Sequence, residues 1–194
     1  MRALALEAAG AMSGPDERAE LVSAARAGDL AAFERLMRQH ERLVLATALR
    51  LTGRMEDAQD VSQEVFLKLH RNLGKLERAE NVAAWLYRVT VNRCHDLRRR
   101  KPEVGLEEAG EVASEAADPQ QATAEEERRR ALTLSLRLLS EKERAALVLR
   151  DLEGLSTAEV AEALGSSEAT VRSQVAKARV KVRGFVERYF RRRV

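Results

Sequence analysis

Three serine-led caps in the last third of the chain constrain its fold more than any other feature. Ser140 stands three residues before Glu143, and Ser156 three before Glu159, the capping-box spacing in which each side chain serves the other's backbone N–H. Ser167 is placed to cap a further helix. Gly154 and Gly165 close the first two segments, and a glycine at Gly165 can take positive φ, so that the chain reverses within a few residues. After Ser167, Val171, Val175, Ala178, Val182, Phe185 and Tyr189 recur at steps of four and three, one continuous apolar stripe on a long helix. The composition points the same way: only 10 glycines and 3 prolines among 194 residues, against an abundance of Ala, Leu, Glu and Arg, favour helix throughout.

The upstream part reads similarly. A short helix over 16–27 ends at Gly28, and Asp29 can cap the next, whose Leu30, Phe33, Met37, Val44 and Leu51 fall mostly on one side before Gly53. Ala58, Val61, Val65 and Leu69 mark a third helix over about 57–72, and a polar loop over 75–80 follows Gly74. Asn81 is expected to cap a helix bearing Val82, Trp85, Leu86, Val89 and Leu97, which Pro102 stops after the basic run 98–101. Leu132, Leu134, Leu136 and Leu138 alternate as a strand would, but Leu132, Leu136 and Leu139 also fall at helical spacing and the flanks are helical, so helix is preferred.

The prediction is an all-α chain of two small helical domains, over 16–101 and 128–194, joined by a flexible acidic linker over 102–127 and preceded by a frayed leader over 1–15. The net charge of +3 conceals a segregation: +3 over 1–100, −8 over 101–127 and +8 over 128–194. Two basic blocks around an acidic spacer suit two surfaces that face a polyanion. An acidic decoy that holds the domains off nucleic acid is the sharper reading of the spacer, and a solvated spacer the preferred one. No apolar run approaches the roughly 18 residues of a membrane span, and Glu7 interrupts the apolar stretch after Arg2 before it reaches signal-peptide length. The single cysteine, Cys94, cannot form an internal disulfide, so a reducing, cytoplasmic setting fits best. Cys94-His95 reads as a packed thiol beside a histidine rather than a metal or redox centre.

A short capped helix, a glycine turn and a longer basic helix form the helix-turn-helix pattern. Val160, Leu164, Val171 and Val175 would lock the pair, with Ala161 small where the helices approach. The opposite face of the last helix presents Thr170, Arg172, Ser173, Gln174 and Lys177. Arg can read guanine and Gln adenine in the major groove, while Arg179, Lys181 and Arg183 suit phosphates. A helical domain with a merely charged face is the plainer alternative.

On these residues the sequence resembles a known family. Leu149-Arg150-Asp151-Leu152-Glu153-Gly154-Leu155-Ser156, Glu159-Val160-Ala161 and the run from Gly165 to Ser173 resemble region 4 of bacterial sigma factors. Asp57-Ala58-Gln59-Asp60-Val61-Ser62-Gln63-Glu64-Val65-Phe66-Leu67-Lys68-Leu69, and Ala84 to Val89 with Asn92-Arg93, resemble region 2. Two such motifs in order, with only a spacer between, match the extracytoplasmic-function (ECF) group of the sigma-70 family. The resemblance implies that Thr170, Arg172, Ser173, Gln174, Lys177 and Arg179 engage the −35 duplex. It also implies that Leu76, Arg88, Asn92, Arg93, Arg98 and Arg99 handle the melted −10 element, where Tyr87 adds aromatic surface, while Trp85 is expected in the core rather than on DNA. Asp57, Asp60, Gln63 and Glu64 would grip core RNA polymerase; Asp57, Asp60 and Glu64, at i, i+3 and i+7, share one helical face. Leu76 stands where relatives often carry an aromatic, which implies weaker stacking, with apolar wedging or a different base preference in its place, and Gln174 stands where they often carry Arg, which implies a different −35 sequence. An anti-sigma partner is a further implication.

No enzyme activity, cofactor, metal, small-molecule substrate or membrane insertion is expected. A stand-alone regulator that binds an operator as a dimer is the runner-up. A divalent-metal hydrolase on Asp57, Asp60 and Glu64 is a third reading, disfavoured because no histidine pair or phosphate loop joins the carboxylates.

Overall fold

The chain breaks where its capping residues direct. In the computed structural model, which describes residues 15–76, 81–100 and 124–191, helix α1 (Pro15–Arg26) opens on a proline, whose missing N–H costs nothing in the first turn. Asp29 then accepts from the N–H groups of Ala31 and Ala32 at 2.9 and 3.1 Å, starting α2 (Leu30–Thr52). Gly53 ends it at φ 77°, its N–H bonded to the Leu49 carbonyl, a conformation that penalises any residue with a Cβ. Helix α3 (Met55–Asn72) runs into a single 3₁₀ turn (Leu73–Lys75), and α4 (Asn81–Arg100) takes Asn81 as its first helical residue. Helix α2 is the hub, packed on α1, α3 and α4. Leu36, Val44, Ala48, Leu51, Ala58, Val61, Val65, Leu69, Val82 and Leu86 are buried between them, each large side chain contributing about 1.5–3 kcal/mol by leaving water.

The second half begins earlier than its sequence suggests. Helix α5 (Ala124–Arg137) takes in 124–127, which the charge pattern assigns to the spacer. Glu125, Glu126 and Glu127 occupy its first turn, where carboxylates complement the positive end of the helix dipole. The alternating leucines are helical, with Ala131, Ser135 and Leu136 facing inward. The Ser140 and Ser156 capping boxes both form, opening α6 (Glu141–Leu147) and α7 (Thr157–Leu164). Between them lies a π-helical segment, Val148–Leu152, in which the Glu153 N–H reaches back five residues to the Val148 carbonyl at 2.9 Å. Such a widened turn shifts the phase of the helix, and hydrophobic periodicity gives no sign of it. Helix α8 (Glu168–Arg191) lies across α5, α6 and α7.

The two halves are in contact. Helix α4 packs on α7, and α2 on the π segment and α5, so one apolar cluster runs from Leu21 through Leu86 to Ala178. Arg144 sits at this junction, 4% exposed. Its guanidinium donates to the carbonyls of Leu136 (2.7 Å), Arg137 (3.2 Å) and Leu139 (3.2 Å), and across the junction to Leu51 (3.0 Å). A buried cation is tolerable only with its donors satisfied, and helix C-termini supply orphan carbonyls bearing partial negative charge. Arg144 caps two helices from opposite halves at once.

Candidate nucleic-acid interface

Helices α7 and α8 and the turn between them build one edge of the molecule. Ser156 Oγ accepts from the Glu159 N–H at 3.2 Å, and Glu159 Oε2 from the Ser156 N–H at 2.7 Å. The Ser156 hydroxyl first, and then its N–H, hold the Glu159 carboxyl below its ordinary range. Gly165 takes φ 57°; its N–H bonds to the Glu162 carbonyl and the Ser166 N–H to that of Ala161, the paired bonds of a Schellman stop. Ser167 Oγ then caps α8 through the Thr170 N–H at 3.2 Å. Val171, Val175 and Ala178 of α8 and Val160 and Ala161 of α7 are buried. This fixes Thr170, Arg172, Ser173, Lys177 and Arg179 outward, with Gln174 half-buried beside them.

Several cations in and beside this face are held by partners. A shallow groove between α7 and α8 is lined by Arg150, Thr157, Arg172 and Arg179. Arg150 donates to the Leu155 carbonyl at 3.0 Å, and Arg172 bridges to Glu168 one turn back at 3.1 Å. Arg179 makes a two-pronged bond to Asp151, 2.8 and 2.6 Å, which stabilises its charged form further. Lys181, expected at phosphates, spans the two oxygens of Glu143 at 2.9 and 2.7 Å, and this cation holds the Glu143 carboxyl below its ordinary range.

Helix α4 sorts the second set of candidates. Arg88, Asn92 and Arg99 are exposed, and their spacing of four and seven places them on one stripe. Arg93 is not part of it: its side chain is 13% exposed and ion-paired with Glu64 of α3, so two residues read separately from the sequence are partners of one another. Arg98 is half-buried, with Nε 3.9 Å from Glu141. Leu76 is half-buried against the core, as is Trp85. Tyr87 departs furthest from expectation. It is 8% exposed, and its hydroxyl donates to Glu153 of the other half at 3.4 Å. Burial, then the Glu153 carboxylate, pushes its hydroxyl well above the ordinary tyrosine range. Residues 77–80 of the neighbouring loop, the leader over 1–14 and the spacer over 101–123 lie outside the described residues.

The acidic set on α3 is divided by depth. Asp60 and Gln63 are exposed and Glu64 is partly so, whereas Asp57 is 7% exposed. A shared helical face therefore does not give these four side chains equal access. Among the described residues no cluster of three or more His, Cys, Asp or Glu could hold a metal ion. Cys94 is buried and its thiol pushed up to about 12 by desolvation, the state of a packed, unreactive side chain. Among the described residues no helix is long and apolar enough to cross a membrane.

Comparison with known proteins places this geometry. The family description Sigma-70 region 2 matches residues 36–102 and Sigma-70, region 4 matches 126–182. The chain is 40% identical to the ECF RNA polymerase sigma factor SigM of Mycobacterium tuberculosis over 168 residues, spanning 84% of this chain and 82% of that one. The chain belongs to the sigma-70 family. Within it the relatives include ECF factors, the ECF RNA polymerase sigma-E factor of Escherichia coli among them at 30% identity over 89% of this chain and 95% of its own. Among solved structures, CnrH in complex with the cytosolic domain of CnrY matches with a TM-score of 0.65 at 26% identity, covering 86% of this chain and 95% of that one. The sigma factor RpoE with the anti-sigma factor NepR from Bartonella quintana shares the fold at a TM-score of 0.63 and 24% identity, covering 80% and 96%. This ECF sigma factor therefore directs transcription initiation, as its resemblance implied.

Proposed function

We propose that the outward face of α8 reads the −35 duplex, that the Arg88–Asn92–Arg99 stripe of α4 handles the melted −10 strand, and that Asp60, Gln63 and the outer part of Glu64 carry the grip on core RNA polymerase. The observation that carries this reading is the capped, outward-facing N-terminal half of α8, with Arg172, Ser173 and Lys177 exposed and Val171 and Val175 fixed beneath them. A helix held in this way can enter a major groove with its orientation set by the scaffold. Arg179, locked on Asp151, suits a phosphate contact of fixed direction. Asp57 and Arg93 act from beneath the surface, Asp57 at the start of α3 and Arg93 by tying α4 to Glu64.

The chain is a cytoplasmic binding subunit; bond making belongs to the polymerase it joins. Structural neighbours captured with partner domains support an anti-sigma partner for this chain as well. The test is run-off transcription: core polymerase with this chain should initiate at discrete sites on genomic fragments, while core alone should not. A stand-alone operator-binding regulator predicts the reverse pattern, tight duplex binding without polymerase and no gain in initiation with it.

A further inference from the structure

The helix assigned to the duplex has carboxylates set against it where a polyanion would meet them. Helix α8 itself holds seven Lys and Arg against two Glu, a surplus that suits DNA. At about 100° per residue, Ser173, Ala176 and Val180 form its outward stripe, opposite the buried Val171, Val175 and Ala178. Arg172 and Arg179, seven apart, edge that stripe on one side, and Lys177 and Lys181, four apart, edge it on the other. Each edge is met by an acid from another element. Asp151 of the π segment takes Arg179 at 2.8 and 2.6 Å, and Glu143 of α6 takes Lys181 at 2.9 and 2.7 Å. The acid side chains are 25% and 11% exposed, their cations about half. Pairs with half-exposed cations contribute little to stability. A carboxylate beside a DNA-facing cation, however, cancels an attraction that would otherwise reach about 10 Å through 0.1 M salt.

We propose that Asp151 and Glu143 are specificity-determining residues: by offsetting one cation on each edge of the α8 face, they suppress its sequence-independent attraction to duplex and leave discrimination to the base-reading side chains. Attraction to phosphates draws all sequences alike, whereas base-edge contacts separate them. A loose cation finds a phosphate in whatever pose the duplex takes. A held one meets it only in the pose that the base contacts fix. Arg179, bonded to Asp151 through Nε and one Nη, keeps further N–H groups for a phosphate, so it retains direction while bringing little net charge. Lys181, spanning both oxygens of Glu143, is withheld as a point charge. Releasing either cation therefore favours random duplex more than the cognate one. The proposal rests on the reading that α8 faces the −35 duplex.

The test begins with fluorescence anisotropy of the full chain on a labelled random-sequence duplex, titrated between about 50 and 200 mM salt. Asp151→Asn and Glu143→Gln keep the side-chain shapes, and Gln still serves the Ser140 capping box. Each variant should bind several-fold tighter than the wild type at the low end. Each should also steepen the dependence of log K on log salt by about 0.9, so that roughly 3.5-fold of the gain is gone at 200 mM. The neutral pairs Asp151→Asn/Arg179→Gln and Glu143→Gln/Lys181→Gln should return to the wild-type slope. An unchanged slope, or weaker binding at unchanged helicity, in the single variants overturns the proposal. Discrimination is then read with core polymerase present, by run-off transcription from the most-used genomic fragment against rising random-sequence competitor. Either single variant should be half-inhibited by several-fold less competitor than the wild type, and equal inhibition overturns the assignment to specificity. If the wild-type complex initiates nowhere, the −35 reading fails instead, while the salt slopes on random duplex still decide whether the two acids offset charge.

Discussion

At the scale of single residues, Arg144 and Arg172 show why similar side chains have unlike fates. Arg144 lies four residues after Ser140, and nothing in its sequence neighbourhood separates it from Arg137 and Arg150 on either side, both only half-buried. Its role exists only because α2 and α5 both end at the same point in space. Removing it leaves four carbonyls of Leu51, Leu136, Arg137 and Leu139 without this partner, so Arg144→Met is expected to lower stability by about 3–5 kcal/mol, read from urea unfolding. Arg144→Lys should recover only part, since an ammonium cannot reproduce the planar fork; full recovery would show that charge alone suffices. Arg172, by contrast, was legible from its place near the start of a capped helix, opposite the apolar stripe. Arg172→Ala is expected to cost about 1–3 kcal/mol of discrimination between the cognate −35 duplex and random duplex. Equal losses on both would reduce it to a phosphate contact.

At the scale of elements, the fold is legible in the sequence wherever a helix is started or stopped by its own residues. Asp29, Ser140, Ser156 and Ser167 all cap as their spacing implies, and Gly53 and Gly165 both take positive φ, because these choices are made within a few residues. The π segment and the early start of α5 were not legible: one depends on how α6 must be rephased to bury both Val148 and Leu149, the other on packing against distant helices. The acidic face of α3 was half legible, since periodicity gives direction but not depth. Ser156→Ala is expected to cost about 1 kcal/mol. Glu159, whose carboxyl is held low first by its hydrogen bond to Ser156, contributes stability that is present above the ordinary carboxyl range and lost as pH falls through its lowered value. The Ser156→Ala penalty should therefore shrink in acid, and a penalty that grows below pH 4 would contradict the capping box. On α3, Asp60→Arg reverses an exposed charge without touching the core and should abolish co-purification with core polymerase at unchanged melting temperature, whereas an undiminished yield would move the grip elsewhere.

At the scale of the whole molecule, charge segregation gave the two basic blocks but not their contact. From the sequence Tyr87 reads as aromatic surface for a displaced base, since Trp85 and Arg88 stand close by in the chain. Its burial is decided by Glu153, 66 residues away, and no local pattern encodes a partner at that separation. This long-range pair has a pH signature of definite sign. Burial, and then the adjacent carboxylate, raises the Tyr87 hydroxyl above its value of 10.0 in an unfolded chain, so the folded state favours the neutral phenol. The contribution of this group is fully present below pH 10 and is lost as pH rises through the raised folded value, since a phenolate would face the Glu153 carboxylate in a site short of water. Tyr87→Phe keeps the ring and removes both the hydrogen bond and the titration. The wild type should therefore exceed Tyr87→Phe in stability by about 1–2 kcal/mol at pH 8, and the gap should close as pH is taken from 10 toward 11. Urea unfolding of both proteins across that range measures it, and a gap that stays constant or widens would place the Tyr87 hydroxyl in water rather than under the other half of the chain.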